Sequence, residues 1–211
     1  MKRVLGILII ISGCAYNSLQ AQDSASFNFS LASHPVSGWN NISGDPATGV
    51  RNATDPSTGI SVSSIGPANW AGYNGSAAFD GGGIAAGGFF PGGVMQNMWY
   101  QYSAYFSSYN SALPQLIIGG LSTDSIYTIR VTCSFDVTMR NTFNLSPTRY
   151  SVAGMSVVGF IDVYGNSNTT GGANFYNISP DSSGNIRIYI NTLSSTSVAG
   201  ISGIRIISGH T

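Results

Sequence analysis

The sequence predicts an all-β protein, a two-sheet antiparallel β-sandwich of jelly-roll type, and three observations predict it. First, all eight acidic residues are Asp, none is Glu, and the only Lys is Lys2. The chain therefore lacks the residues that usually cover helix surfaces and is rich in Gly, Ser, Thr, Asn and aromatics, which suit strands and turns. Second, short alternating segments recur along its 211 residues, separated by Gly, Pro, Asn or Asp clusters. Third, no 3.6-residue periodicity runs through it beyond a short helical turn expected near Ser107 to Leu113.

In chain order, residues 1–22 read as a signal peptide: Lys2-Arg3, the apolar run Val4 to Ile11, then small residues. The run is too short to span a bilayer. Two cleavage schemes compete. Ile11-Ser12-Gly13-Cys14 resembles the lipobox of bacterial lipoproteins, whose Cys becomes the lipidated first residue, and it fits that motif at every position. Cleavage near Ala21 instead frees a chain beginning around Gln22, although Leu19 is large for the minus-three site. The protein is expected to be secreted, or held at the cell envelope or surface as a lipoprotein. Membrane contact is expected only through the anchor at Cys14.

Residues 23–211 form one domain, long enough to bury a sizeable core. With Cys14 lost or lipidated, Cys133 has no partner for an intrachain disulfide. It lies in Tyr127 to Asp136, where odd positions are apolar and even positions polar, so it belongs to a buried strand face. The expected strand segments are Phe27 to Leu31, Ile60 to Ile65, Ala77 to Phe79, Val94 to Tyr100, Gln115 to Ile118, Ile126 to Phe135, Val157 to Tyr164, Phe175 to Ile178, Ile186 to Ile190 and Ile201 to Ile207. Ile186, Ile188 and Ile190 point one way, as do Ile204 and Ile206, and these faces should form the core.

Asp45-Pro46-Ala47-Thr48-Gly49 is echoed ten residues later by Asp55-Pro56-Ser57-Thr58-Gly59. Asp caps a turn, Pro presets the next residue and Gly supplies an unusual backbone angle, so both read as tight turns. The alternative, calcium held by Asp45, Asp55 and nearby carbonyls, lacks the spacing of a calcium loop.

Charge and chemistry exclude several classes. Charged residues make up 8% of the chain, and the six Arg beyond the signal are scattered, which argues against nucleic acid as a partner. A glycosidase would need two Asp, and Asp80, Asp136 and Asp162 share no motif. A serine hydrolase would need His34 or His210 as base, yet there is no Gly-x-Ser-x-Gly elbow. Both His read as solvated surface residues, and with one buried thiol they match no zinc spacing. No enzyme activity, cofactor or metal is expected. Asp23-Ser24-Ala25 and Asp124-Ser125-Ile126 resemble a bacterial O-glycosylation acceptor.

Residues 66–110 hold 11 of the chain's 24 aromatics, interleaved with Gly81-Gly82-Gly83, Gly87-Gly88 and Gly92-Gly93. Rings carried on such backbone can set flat apolar faces beside amides and hydroxyls, the surface a sugar needs. Trp70 and Tyr73, on the loop Pro67 to Gly75, are the first candidates for glycan contact, followed by Trp99, with Asn69, Asn74 and Asp80 as polar partners. The competing reading is that the same rings seal a core, with Trp39 and the Val94-Gln96-Met98 alternation pointing that way.

From Gln115 onward the order is an apolar strand, Gly119-Gly120-Leu121, Tyr127-Thr128-Ile129, Val157 to Tyr164, Asn174 to Ile178, Ser179-Pro180-Asp181-Ser182-Ser183-Gly184, Ile186-Arg187-Ile188 and Ala199 to Ile206. This resembles the second half of malectin-like and other galactose-binding-like domains in secreted Bacteroidota proteins, where a Pro-Asp-x-x-Gly turn joins two late strands. Gly38-Trp39-Asn40-Asn41 and Thr58-Gly59-Ile60 are similar to the first half. The resemblance implies a jelly roll that binds glycan or polysaccharide through loops at one edge. It assigns no ligand residue here, and the aromatic insert has no counterpart in it. An envelope protein meeting the aromatic segment is the alternative partner.

Overall fold

A computed structural model describes residues 24–70, 76–81, 83–84, 87–102, 114–136, 144–145, 147–194 and 197–209. Its strands are β1 (Ser24–Ser30), β2 (Asn40–Ser43), β3 (Asn52–Thr54), β4 (Ser61–Ser64), β5 (Ala78–Phe79), β6 (Met98–Tyr102), β7 (Leu116–Gly119) and β8 (Ile126–Thr132). They continue as β9 (Asn144–Leu145), β10 (Thr148–Ala153), β11 (Val157–Val163), β12 (Ala173–Ile178), β13 (Ile186–Thr192), β14 (Ser197–Ile201) and β15 (Gly203–Gly209). One short helix, α1 (Gly92–Met95), and a 3-10 turn at Pro67–Asn69 complete the described elements.

The all-β sandwich expected from the sequence is the observed fold. Its two large sheets run β12-β8-β15-β1-β2 and β11-β10-β13-β7-β4-β3, and a third, four-stranded sheet runs β5-β6-β14-β9. Pairing is antiparallel except where β2 joins β1 and β9 joins β14. The inward Ile residues behave as their alternation requires: Ile186, Ile188, Ile190, Ile204 and Ile206 are all buried in one cluster with Phe27, Phe29 and Trp99. Cys133 lies in the same core, its Sγ 3.3 Å from Thr148 Oγ1.

Several expectations need correction. The segment from Val94 does not begin as a strand: Pro91 opens α1 and β6 starts only at Met98. Pro91 has no amide to lose at a helix start, which favours a turn there. Strands β2, β3, β9, β10 and all of β14 but Ile201 lie outside the expected segments, and the expected Ile201 to Ile207 strand divides at Ser202, Ile201 ending β14 and Gly203 opening β15 in another sheet. The helical turn near Ser107 to Leu113 and residues 1–22, with Cys14, lie outside the described residues.

The turns are where the sequence was most explicit. Asp181 Oδ1 accepts from the amides of Ser183 and Asn185, Gly184 takes φ 72°, and Arg187 Nη1 donates to Asp181 Oδ2 at 2.6 Å. This Pro-Asp-x-x-Gly turn carries the chain from β12 in one large sheet to β13 in the other.

Aromatic residues fill the space between the layers. The Trp99 ring packs 4.9 Å from Phe29 and 5.6 Å from Trp70, edge to face with the latter, and its Nε1 donates to Ser30 O at 3.1 Å. Trp70 Nε1 is also buried but has no acceptor among the described residues. Both indoles fill volume, but only one satisfies its N–H. Trp99→Phe should therefore cost about 2–3 kcal/mol, whereas Trp70→Phe removes an orphaned donor and costs about 1 kcal/mol less. Chemical denaturation of both variants checks this; equal losses would refute it.

Candidate functional site

The residues expected to meet a glycan are mostly spent on the fold. Trp99 is fully buried and Trp70 is 4% exposed, so neither offers a ring face to a ligand, which corrects their assignment as stacking platforms. The core of a sandwich this poor in charge takes its largest apolar side chains first. Asn69 Nδ2 donates to Pro114 O at 2.6 Å, pinning the 3-10 turn beside β7. Tyr73 and Asn74 lie outside the described residues.

Asp80 is likewise a fold residue. Leu31 N and Ala32 N donate to its two carboxylate oxygens at 2.7 Å, and His34 Nε2 lies 3.1 Å from Oδ2. These contacts secure the loop from β1 to β2. A parallel pair normally needs a longer crossover, and here the chain returns within residues 31–39, turning at Gly38 with φ 74°. Asp80 supplies the acceptors that so tight a return leaves unmet.

The described part of the Gly-rich aromatic segment is also packed down. Phe90, Val94 and Met95 form a small cluster with Val36, Trp39 and Phe89 on the outer face of the five-stranded sheet. They sit over Gly203, where a Cβ would come within 2.6 Å of Val94 and 3.1 Å of Trp39. Asn28, beside Gly203 on β1, is buried beneath this cover, although a strand's outward face is usually wet.

A different surface carries rings outward. Strands β11 and β12 are edge strands of the two large sheets and lie next to each other. Each is interrupted by a residue in the left-handed region: Gly159 (φ 44°) in β11 and Asn177 (φ 57°) in β12, at register shifts against β10 and β8. A bulge re-aims the neighbouring side chains. In β11 the bulge leaves Phe160 58% exposed while Ile161 packs against the core; in β12 Tyr176 is 63% exposed by alternation from the buried Phe175, and the bulge returns Ile178 to the buried face. Tyr164, Val157 and Met155 are exposed along the same edge and its adjoining turns.

The Phe160 ring is held in place. Arg149 Cζ lies 3.7 Å from the ring centroid, and the guanidinium is fixed by Asp162 through Nε–Oδ1 at 2.7 Å and Nη2–Oδ2 at 2.8 Å. Arg149 bonding draws the Asp162 carboxyl below its ordinary pKa against a smaller opposing effect of burial. The connection from β11 to β12 is fixed as well. Asn168 Nδ2 donates to Thr132 Oγ1, Cys133 O and Gly171 O, and Asn168 Oδ1 accepts from Gly171 N. The edge therefore presents pre-set aromatic faces beside a charged, hydrogen-bonding pair. The sequence signals were Gly159 inside an apolar run and Asn177 inside a strand, both at positions where a bulge is the ordinary explanation.

The echoed Asp motifs are turns, as read. Asp45 Oδ1 accepts from Ala47 N and Ala77 N. Asp55 Oδ1 accepts from the amides and hydroxyls of Ser57 and Thr58, and Oδ2 from Asn40 Nδ2 at 2.7 Å.

No protein-family model matches the chain, and no curated protein matches it. Among solved structures it is similar to protein YxiM of Bacillus subtilis, with 16% identity and a TM-score of 0.47, covering 89% of this chain and 40% of that one. It is also similar to a Bacteroides uniformis β-glucuronidase, with 15% identity and a TM-score of 0.44, covering 89% of this chain and 18% of the other. The chain spans less than half the length of either.

Burial alone would raise the Asp55 pKa, but its bonds from Ser57, Asn40 and Thr58 outweigh that and lower it from 3.8 to about 2. A lowered folded-state value means stabilisation present above the unfolded pKa and lost as pH falls through about 2. Asp55→Ala should cost about 1 kcal/mol at pH 7, and the gap from the parent should narrow between pH 4 and 2. Thermal melts across that range check it; a constant gap would contradict the linkage.

Proposed function

We propose that the chain is a non-catalytic carbohydrate-binding or adhesive module of the galactose-binding-like kind, taking its glycan along the β11–β12 edge. The observation that carries this reading is a pair of exposed aromatic side chains on neighbouring edge strands, Phe160 turned outward by the bulge at Gly159 and Tyr176 outward by alternation from the buried Phe175. Bulges interrupt pairing and are kept where a side chain must be re-aimed. Phe160, backed by Arg149, and Tyr176 offer flat apolar faces for a sugar ring, and the Asp162 carboxylate beside them offers acceptors for its hydroxyls.

The non-catalytic part of the proposal rests on the carboxylates. Asp55, Asp162 and Asp181 have lowered pKa values, each held by donors that favour the ionised form. A general acid needs the opposite, a carboxyl whose pKa is raised toward neutrality. Asp80 is engaged by two backbone amides and His34. We further propose that the N-terminal segment exports the module, either free or anchored at Cys14.

One observation favours a protein partner instead: Met155 and Val157, at the same edge, are more apolar and more exposed than a sugar site requires.

Electrophoresis of the purified chain in native gels cast with a panel of soluble polysaccharides tests the reading. One polymer should retard it selectively. Phe160→Ala and Tyr176→Ala should each weaken that retardation about tenfold while stability changes by no more than about 1 kcal/mol, both side chains being exposed. Retardation by no polymer, or retention of it in the double variant, would sink the glycan reading; pull-down of an envelope protein through Met155 and Val157 would then favour the second.

A further inference from the structure

The arginines of this chain are not used alike. Arg149 and Arg187 pair with Asp162 and Asp181, and Arg51 holds Asp45 O and Thr48 Oγ1 in a turn. Arg130 and Arg205 stand apart. They are direct cross-strand partners in β8 and β15, so both side chains leave the same outer face of the five-stranded sheet. Direct partners have Cβ atoms about 5 Å apart, and like charges so placed repel.

Among the described residues nothing neutralises them. Arg130 Nε donates to Asn174 Oδ1 at 3.0 Å and Arg205 Nε to Ser26 Oγ at 2.9 Å. Among the described residues, no carboxylate forms an ion pair with either, and their terminal guanidinium nitrogens have no acceptor. Burial, with the charge of Arg130 added to it, depresses the Arg205 pKa below its ordinary value.

The two guanidiniums are nevertheless held by aromatic rings. Arg130 Cζ lies 4.6 Å from the Phe89 centroid, and Arg205 Cζ 5.2 Å from Trp39 and 6.0 Å from Phe90. Those rings are themselves fixed. Phe89 fills the space above Gly172, where a Cβ would meet it at 2.3 Å, and Trp39 and Phe90 stand 4.8 Å apart over Gly203. Cation–π contact supports a guanidinium without consuming its donors.

We propose that Arg130 and Arg205 together bind the carboxylate of an acidic sugar. Two neighbouring forks with open terminal donors match the planar, bidentate demand of a carboxylate. The half-buried Trp39 beside them supplies apolar surface for the sugar ring. The sugar part of this inference rests on the glycan reading above. The charge part rests on the arginine geometry alone, on the opposite large sheet from Phe160.

The test is thermal melting of the purified chain with galacturonate, with galactose and with inorganic sulfate, at matched ionic strength. Galacturonate should raise the melting temperature and galactose should not, since ligand binding to the folded state stabilises it by mass action. Arg130→Gln and Arg205→Gln should weaken the response about tenfold or more while melting no lower than the parent, because each relieves a like-charge contact. Arg205→Lys, which keeps the charge but loses the fork, should also weaken it. Equal responses to galacturonate and galactose, a response to sulfate alone, or full retention in both Gln variants would overturn the proposal. Phe160→Ala separates the two readings: retardation by a neutral polysaccharide that depends on Phe160, without any acid-specific response, removes the arginine site and leaves the β11–β12 edge standing.

Discussion

Four residues of backbone, Gly200 to Gly203, join the three sheets, and the rest of the structure depends on that joint. Strand β14 belongs to the four-stranded sheet and β15 to the five-stranded one, with only Ser202 between them. Ser202 N donates to Thr132 O, Ser202 O accepts from Phe29 N, and Ser202 Oγ accepts from Ser134 N, so all its polar groups serve β1, β8 and the chain just beyond β8. Gly200 N donates to Thr148 Oγ1, and Gly200 O accepts the Tyr150 hydroxyl, which ties β14 to the six-stranded sheet. A strand that changes sheets must bend with its backbone groups satisfied, because an unpaired amide or carbonyl in a core costs about 1–3 kcal/mol. Side chains are unwelcome there. A Cβ at Gly200 would press on the Phe135 ring and Trp99 O, and one at Gly203 on Val94, Trp39 and Phe90.

That joint decides where the large aromatics go. Trp99 stacks against Phe29 and Trp70 beside the bend, and Phe90 with Trp39 covers Gly203 from outside. Most of the described aromatics of residues 66–110 therefore close two interior gaps, Phe79 on the edge strand β5 being exposed. Surface rings come instead from edge strands, where pairing ends and a bulge is tolerated. Gly159 and Asn177 also blunt those edges against pairing with another chain, and in β11 the same irregularity that protects the sandwich displays Phe160.

What was legible in the sequence follows from this division. Alternation marks β13 and β15, because Ile186, Ile188 and Ile190 share a buried face in the first and Ile204 and Ile206 in the second, with Arg187 and Arg205 on the other. Turn chemistry was equally plain: Asp45, Asp55 and Asp181 all accept amides from the residues after them. Strand β2 was hidden because Asn40–Ser43 holds one apolar residue and owes its place to Asp80, 37 residues beyond its end, bracing the loop before it. Strand β10 carries a period-2 signal in Thr148, Tyr150 and Val152, but it is short, its inward face begins with a polar Thr, and Pro147 directly before it reads as a turn. The candidate edge was the least legible part. In Val157 to Val163 nearly every residue is apolar, so alternation cannot say which way Phe160 points; only the bulge at Gly159 decides it.

Charge completes the account. In a chain with 8% charged residues, each one present has to be explained by what it touches. Asp45, Asp55, Asp80 and Asp181 replace missing backbone acceptors in tight turns, and Asp162 fixes the guanidinium that backs Phe160. Arg187 and Arg51 serve those same turns. By that standard Arg130 and Arg205 are anomalous, since they close no turn, meet no carboxylate among the described residues and repel each other across adjacent strands. Folding alone would favour an uncharged pair at that register, because two polar side chains of similar length could bond Asn174 and Ser26 without repulsion. Natural sequences depart from local stability chiefly where a ligand compensates. These charges are thus held in two ways: satisfied internally where geometry demands it, and free of any carboxylate among the described residues where aromatic rings hold two guanidiniums side by side.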